Sequence, residues 1–220
     1  MSAGLVIAID GPSSSGKSTV SRAIAQDLGC AYLDTGAMYR AITWFALENN
    51  VELTDPEQIA ACAAVIELRE STSADEPGIW VGDADVSAEI RGPEVTAAVS
   101  KVAAVPQVRA MLVERQRAIA AKSDNGIVVE GRDIGNVVLP EADLKIFLTA
   151  DQEARALRRA LELGQDPTEI EQSLATRDKA DSTRVASPLV MADDAIEVDT
   201  THLELHEVIT HILDLVRTRS

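Results

Sequence analysis

Long apolar runs and cysteines are both scarce in this 220-residue sequence, and each scarcity excludes a class of protein. The apolar run at 4–10, GLVIAID, is too short for a membrane-spanning helix or a signal peptide, and no basic segment precedes it. Cys30 and Cys62 lie far apart in apolar or alanine-rich surroundings, which favours buried thiols over a disulfide or a metal site. We therefore expect a cytoplasmic protein.

Basic residues are also in short supply, with 20 lysines and arginines against 36 aspartates and glutamates and a formal net charge of −16. Such an acidic balance argues against non-specific binding to nucleic acid or to an anionic membrane. A protein of this charge that binds an anionic ligand needs its cations gathered in one cleft. The position of each arginine is therefore informative.

Histidine occurs three times, as His202, His206 and His211, all in the predicted last helix. A zinc site or a proton relay is one interpretation. The polar face of an amphipathic terminal helix is the favoured one, because the apolar residues of this segment recur at helical spacing.

Strands alternate with helices along most of the chain, which predicts a doubly wound α/β core. The predicted parallel strands are LVIAID (5–10), CAYLD (30–34), GIVVEGRD (126–133), DLKIFLTA (143–150) and AIEVDT (195–200). Three short segments between 66 and 90 predict a small antiparallel insertion. The first helix is expected to stop at Gly29, and the third to begin with Thr54 as its N-cap and Pro56 in its first turn.

The stretch GPSSSGKST follows the first predicted strand and opens the first predicted helix. Its two glycines let the backbone curl so that N–H groups point inward, Lys17 can reach the β- and γ-phosphates, and the Ser18 hydroxyl can bind Mg²⁺. The helix N-terminus adds a positive end. The sequence therefore predicts an ATP- or GTP-binding loop. Its residues are Gly11, Pro12, Ser13, Ser14, Ser15, Gly16, Lys17, Ser18 and Thr19.

The motifs elsewhere in the sequence distinguish between classes of nucleotide-binding protein. A GTPase switch needs a base-reading Asn-Lys-x-Asp motif, which this sequence lacks, and a motor-type ATPase needs large coupling domains for which there is no room. The strand ending GIVVEGRD instead places Glu130 where a ligand to a magnesium-bound water would help, with Arg132 directly behind.

Six stretches resemble, in order and over nearly the whole chain, the bacterial cytidylate (CMP/dCMP) kinases. They are IDGPSSSGKST (9–19), YLDTGAMYR (32–40), VSAEIRGPEV (86–95), SKVAAVPQVRAMLVERQR (100–117), VEGRDIGNVVLPEADLKIFLTA (129–150) and RDKADSTRVASPLVMADDAIEVDTT (177–201). The resemblance implies a P-loop NTPase-like three-layer sandwich with a central parallel sheet. It also implies a monomeric enzyme of pyrimidine nucleotide metabolism that uses ATP and Mg²⁺ to phosphorylate CMP and dCMP.

The resemblance also implies one kinase domain over 1–220 that is divided into three parts. The core would comprise about 1–35, 105–154 and 185–220, the monophosphate-binding flap with the antiparallel insertion about 36–104, and the short helical lid about 155–184.

Site residues are carried over from the resemblance position by position. Arg40 and Arg132 would clamp the CMP phosphate, since a guanidinium is planar and binds two oxygens at once. The remaining acceptor-side residues would be Thr35, then Ser100, Arg109 and Asp133 for the base, Arg177 and Asp181 for the ribose, and Arg184 beside the phosphate. Taken alone, most of these are ordinary surface or capping residues, and RDKADSTR is an ordinary ion-paired helix face.

On the donor side, Arg155, Arg158 and Arg159 lie on the helix that carries lid arginines in such kinases, and Arg158 is the preferred candidate. Lys17, Arg132 and Arg158 are expected to stabilise the transferring phosphoryl group, Ser18 to bind Mg²⁺ directly, and Glu130 through water. Thr35, Glu130 and Asn136 depart from the family's common residues without removing a charged group. The alternatives are a kinase of the same fold acting on UMP or a non-nucleotide hydroxyl, and a non-enzymatic nucleotide-dependent switch.

Overall fold

Five parallel strands form the central sheet of the computed structural model, which describes residues 4–219. The strands are β1 (Val6–Asp10), β2 (Ala31–Asp34), β6 (Ile127–Gly131), β7 (Leu144–Thr149) and β8 (Ile196–Asp199), in the order β2-β6-β1-β7-β8. All five predicted strands are present. Chain order reverses at β1, so the carboxyl ends of the strands open a crevice there, where ligands bind in open α/β sheets.

Helices cover both faces of this sheet. They are α1 (Lys17–Leu28), α2 (Thr35–Glu48), α3 (Pro56–Ala64), α4 (Pro93–Ala103), α5 (Pro106–Ala121), α6 (Gln152–Leu163), α7 (Pro167–Thr183) and α8 (Leu205–Arg217). Alternate residues of β1 separate the two faces: Ile7 and Ile9 pack with α1 and α8, whereas Ala8 packs with α2 and α5. The three-layer α/β sandwich predicted from the sequence is confirmed.

The predicted insertion is a second, antiparallel sheet of β3 (Leu68–Glu70), β4 (Ile79–Val81) and β5 (Ala84–Asp85). The third predicted segment, 84–90, is a strand only in its first two residues and ends in a 3₁₀ turn at Glu89–Arg91. Trp80 lies in this sheet, and the guanidinium of Arg69 stacks 4.0 Å from the centre of its ring.

Two local predictions were wrong. The N-cap of α3 is Asp55 rather than Thr54, because the Asp55 carboxylate accepts the Glu57 N–H at 2.9 Å. The Thr54 hydroxyl instead donates to Glu52. His202 lies ahead of α8, which begins after its capping residue Glu204.

Several sequence-based expectations concern isolated residues. Gly29 ends α1 in a left-handed conformation with φ of 61°, as predicted. Cys62 is buried and Cys30 half-buried, and both are free thiols. Between residues 4 and 219, no helix is long and apolar enough to cross a membrane.

Candidate active site

A cleft of about 610 Å³ lies at the carboxyl ends of the strands, between the glycine-rich loop, α2, α4, α6 and α7. Nine of the chain's 20 lysines and arginines line it, so the predicted concentration of cations in one cleft is confirmed. They are Lys17, Arg40, Arg91, Arg109, Arg132, Arg158, Arg159, Arg177 and Arg184. A neighbouring cavity of about 650 Å³ lies between α1 and the small sheet.

The glycine-rich loop connects β1 to α1 in the strand–loop–helix arrangement that the sequence predicted. Gly11 is required by close packing, because a Cβ there would lie 2.0 Å from the Leu148 carbonyl oxygen. Gly16 has a φ of 88°, which side-chain-bearing residues rarely adopt. Lys17 lies under the loop and donates to the Pro12 carbonyl at 2.6 Å. Its burial, together with the charge of Arg132, lowers the pKa of Lys17.

Three oxygen-bearing side chains meet beside the start of α1. The Ser18 hydroxyl donates to one carboxylate oxygen of Glu130 at 3.0 Å, and the Tyr32 hydroxyl donates to the other at 2.5 Å. Glu130 is 3% exposed, and this burial raises its pKa to about 7. Hard oxygen ligands are those that Mg²⁺ prefers, so Ser18 and Glu130 form a donor set that fits this ion.

Arg132 and Arg40 both line the cleft and come from different elements. Arg132 leaves the end of β6 and donates to Asp181 at 3.0 Å and to the Ser13 hydroxyl at 2.9 Å. Arg40, on α2, donates to the Ile90 carbonyl and the Thr96 hydroxyl, both at 2.9 Å. Burial lowers the pKa of Arg40 to about 10, which still leaves the guanidinium charged at neutral pH.

Arg109 and Asp133 form a buried ion pair at the inner end of the cleft, with the Tyr39 ring 5.4 Å from the Arg109 guanidinium. Arg184 lies 3.7 Å from Asp133. Arg109, Asp133 and Arg184 together bring hydrogen-bond donors and acceptors to the wall of the cleft. Arg184 follows the last residue of α7, so the expectation that it shares one helix with Arg177 and Asp181 was wrong.

Asp181 contacts Arg132, Arg184 and Ser100. It pairs with Arg132, lies 4.0 Å from Arg184, and accepts the Ser100 hydroxyl at 3.4 Å. Burial alone would raise the pKa of Asp181, but the surrounding arginines outweigh burial and lower it. Burial, with the charges of Arg132 and Arg40, lowers the pKa of Arg177 to about 9.

The hydroxyl of Thr35 donates to the Glu130 carbonyl at 2.7 Å. Thr35 is 3% exposed, although it lies in the wall of the cleft. Its hydroxyl proton is therefore used by the protein, and its lone pairs remain as acceptors.

The three arginines of α6 have different environments. Arg158 lines the cleft and donates to the hydroxyl and the carbonyl of Thr200, at 3.0 and 2.6 Å. Arg159 also lines the cleft and pairs with Glu162 at 2.8 Å. Arg155 is buried, and its guanidinium is engaged by Ser13, Ala150 and Asp178.

Among the polar residues of this region that the sequence analysis missed are Asp10, Tyr32 and Asp178. Asp10 ends β1 and accepts the Ile134 and Gly135 N–H groups at 2.8 Å each, at the start of a short π-helical turn. A carboxylate that closes an otherwise apolar strand was the available signal for Asp10. Nothing local marks Tyr32 or Asp178, whose partners are distant in the chain.

Comparisons with known proteins place these motifs in one family. The family profile described as "Cytidylate kinase" matches residues 7–218. A cytidylate kinase of Streptomyces avermitilis is 54% identical over 216 residues, which cover 98% of this chain and 94% of the relative. A cytidylate kinase of Nocardia farcinica is 52% identical over 217 residues, which cover 96% of this chain and 93% of the relative.

A solved structure shares the fold. The crystal structure of an uncharacterized protein from Eubacterium ventriosum superposes with a TM-score of 0.54, covering 97% of this chain and 98% of that one. The two sequences are 11% identical, so the likeness concerns the fold alone.

Proposed function

The chain belongs to the cytidylate kinase family, and we propose that it transfers the terminal phosphate of ATP to CMP and dCMP in the cleft described above. The observation that carries the proposal is that the glycine-rich loop and the buried Arg109–Asp133 pair line the same cleft. One end can hold a triphosphate, and the other presents hydrogen-bonding groups for a base. The proposal includes a monomeric chain that works in the cytoplasm in pyrimidine nucleotide metabolism.

On the donor side, the loop residues 11–19 would hold the ATP phosphates through backbone N–H groups and the Lys17 ammonium. Arg158 would close over the triphosphate from α6. Ser18 would hold Mg²⁺ directly and Glu130 through water, and the bound ion would neutralise charge on the β- and γ-phosphates.

On the acceptor side, the CMP phosphate would lie between Arg40, Arg132 and Arg184. Cytosine offers an N4 amino donor and an unprotonated N3, and the base readers supply an acceptor and a donor to match. Leaving a buried partner unpaired is costly, which is how such a pocket rejects uracil. The base readers are Ser100, Arg109 and Asp133, with Arg177 and Asp181 on the ribose and Thr35 in the adjacent wall.

Transfer needs positioning and positive charge more than acid–base chemistry. The attacking CMP phosphate oxygen is already anionic, so no general base is required. Water must be excluded, since it would otherwise receive the phosphoryl group. We propose that the segments 36–104 and 155–184 close over the substrates as flap and lid, while the rest of the single domain stays fixed.

Initial rates with CMP, dCMP, UMP and AMP as acceptors test the proposal. We expect CMP and dCMP to be preferred in kcat/KM by at least about tenfold, the discrimination that one mismatched buried hydrogen bond supplies. Equal rates for all four, or transfer only to a non-nucleotide hydroxyl, would favour another kinase of this fold. Nucleotide binding without transfer to any acceptor would favour a switch.

A further inference from the structure

Ser13 is the third residue of the glycine-rich loop, and all of its polar groups have partners outside the loop. Its N–H donates to an oxygen of Asp178 at 3.0 Å, and its carbonyl accepts from Arg155 at 2.9 Å. Its hydroxyl is 2.9 Å from Arg132. The two peptide groups that flank Ser13 are therefore held from α6 and α7.

Arg155 and Asp178 also hold each other. Nη1 of Arg155 lies 2.5 Å from Oδ2 of Asp178, and the two side chains are 9% and 18% exposed. A second nitrogen of Arg155 donates to the Ala150 carbonyl at 3.0 Å, just beyond the end of β7. Charge-assisted hydrogen bonds of this kind are the strongest in proteins, so the pair ties the loop firmly to the end of the sheet.

The next residue explains why the loop needs such support. Ser14 has a φ of 59°, a left-handed conformation that costs a non-glycine residue about 1–2 kcal/mol. A buried ion pair contributes little net stability compared with apolar residues of the same volume. The pair is better suited to orienting the two peptide groups ahead of the strained residue than to stabilising the fold.

We propose that Arg155 and Asp178 are positioning residues of the ATP site, which fix the shape of the phosphate-binding loop and tie that shape to the placement of α6 and α7. Neither residue lines the cleft, so both act through Ser13 rather than on the nucleotide. The same two helices carry Arg158 and Asp181, so the placement of α6 and α7 would be communicated to the donor loop at Ser13. The inference rests on the proposed function, in which this loop holds ATP.

Asp178→Asn tests the inference, because asparagine keeps the size and one acceptor for the Ser13 N–H but leaves Arg155 without its counter-ion. We expect the Kd of a non-hydrolysable ATP analogue, measured without CMP, to rise about tenfold, the effect of weakening one charge-assisted hydrogen bond. The KM for ATP should follow, and the KM for CMP should stay within about twofold. Arg155→Lys should likewise raise the Kd of the analogue and the KM for ATP but not the KM for CMP. The double variant should raise the Kd of the analogue no more than the worse single variant does.

Lys179→Ala, at the adjacent exposed position of α7, is the matched control and should leave the Kd of the analogue and both KM values unchanged. Unchanged or tighter analogue binding in Asp178→Asn would overturn the inference, as would an equal rise of both KM values. If Asp178→Asn does not fold, Arg155→Lys decides by the same criteria. A wild-type protein that binds the analogue but does not phosphorylate CMP would contradict the proposed function, and the analogue measurement would still decide the role of the pair.

Discussion

Asp10 is buried where the last residue of β1 meets the π-helical turn that follows β6. Burial raises its pKa from an ordinary 3.8 to about 6, and the hydrogen bonds from Gly135 and Ile134 oppose that rise only in part. The folded protein thus binds this proton more tightly than the unfolded chain does. The group stabilises the fold fully below about pH 4, and its contribution is lost as the pH rises through about 6.

The pH dependence of this contribution should be visible when the unfolding free energies of wild type and Asp10→Asn are compared. From pH 4 to pH 7 the wild type should lose ~2 kcal/mol of unfolding free energy relative to the variant, because most of the difference between the folded and unfolded pKa values is expressed in this range. Urea unfolding at intervals of half a pH unit measures it. A difference that stays constant across this range would show that Asp10 does not titrate there.

In the proposed mechanism, the binding of ATP depends most directly on Lys17. Lys17 is 6% exposed, and its ammonium is held under the loop by the Pro12 carbonyl. Lys17→Ala should lower kcat/KM for CMP phosphorylation by about 10²–10³-fold or more, because charge aimed at the transferring group is lost. The far-ultraviolet circular dichroism spectrum should be retained. Turnover that persisted in the variant would contradict the assignment of the donor site.

At the scale of elements, α1 holds the insertion to the core. Arg22 donates to the Ala74 and Asp75 carbonyls at 2.6 and 2.7 Å, and the Tyr32 N–H donates to Thr72 at 2.9 Å. Ala74 is 7% exposed and packs in the apolar core beside α1. The loop between β3 and β4 is therefore attached to the core, and this attachment limits how the segment 36–104 can move.

Arg22→Ala should loosen that attachment. We expect faster hydrogen exchange at the Tyr32 amide and a loss of ~1 kcal/mol in unfolding free energy, because two partly solvated hydrogen bonds are removed. Arg217→Ala, which removes an exposed pair with Asp214 on α8, is the control and should change neither. Unaltered exchange at Tyr32 in Arg22→Ala would mean that the Gln26 side chain and the backbone pairing hold the loop without Arg22.

The elements that sequence reasoning could place are those whose signals are local. The inner strands β1, β6 and β7 are short apolar runs covered on both faces, whereas the edge strand β8 alternates apolar and acidic residues. Each of the five parallel strands was predicted within a few residues. The segment 84–90 was predicted less well, because β5 is defined by its pairing with Trp80 and Val81 rather than by its own residues. Tertiary context decides such short edge strands.

The same distinction applies to the candidate site. The loop at 11–19 is one continuous stretch of sequence, and Arg132 and Asp133 are neighbours in another. Their residue types and spacing could therefore be recognised from the sequence. The environment of Arg155 depends on Ser13, 142 residues away, and on Asp178. The sequence showed three arginines on one helix and could not indicate that one of them is buried against the loop.

The charge of the whole molecule is distributed very unevenly. The formal net charge is −16, yet nine cations line one cleft. At an ionic strength of 0.1 M, charges further away than about 10 Å are largely screened, so a phosphate in the cleft responds chiefly to the nearby arginines. The affinity for phosphate should therefore depend on salt, whereas recognition of the base by short buried hydrogen bonds should not.

Raising the ionic strength from 0.05 to 0.5 M at constant free Mg²⁺ should separate the binding of the phosphate from the recognition of the base. We expect the KM for CMP to rise about three- to tenfold, because screening weakens the attraction between the arginines and the phosphate. The ratio of kcat/KM for CMP to that for UMP should stay within about twofold, because both nucleotides carry the same phosphate and differ only at the base. A ratio that fell with salt would mean that Arg109 and Asp133 read the base through long-range charge rather than through direct hydrogen bonds.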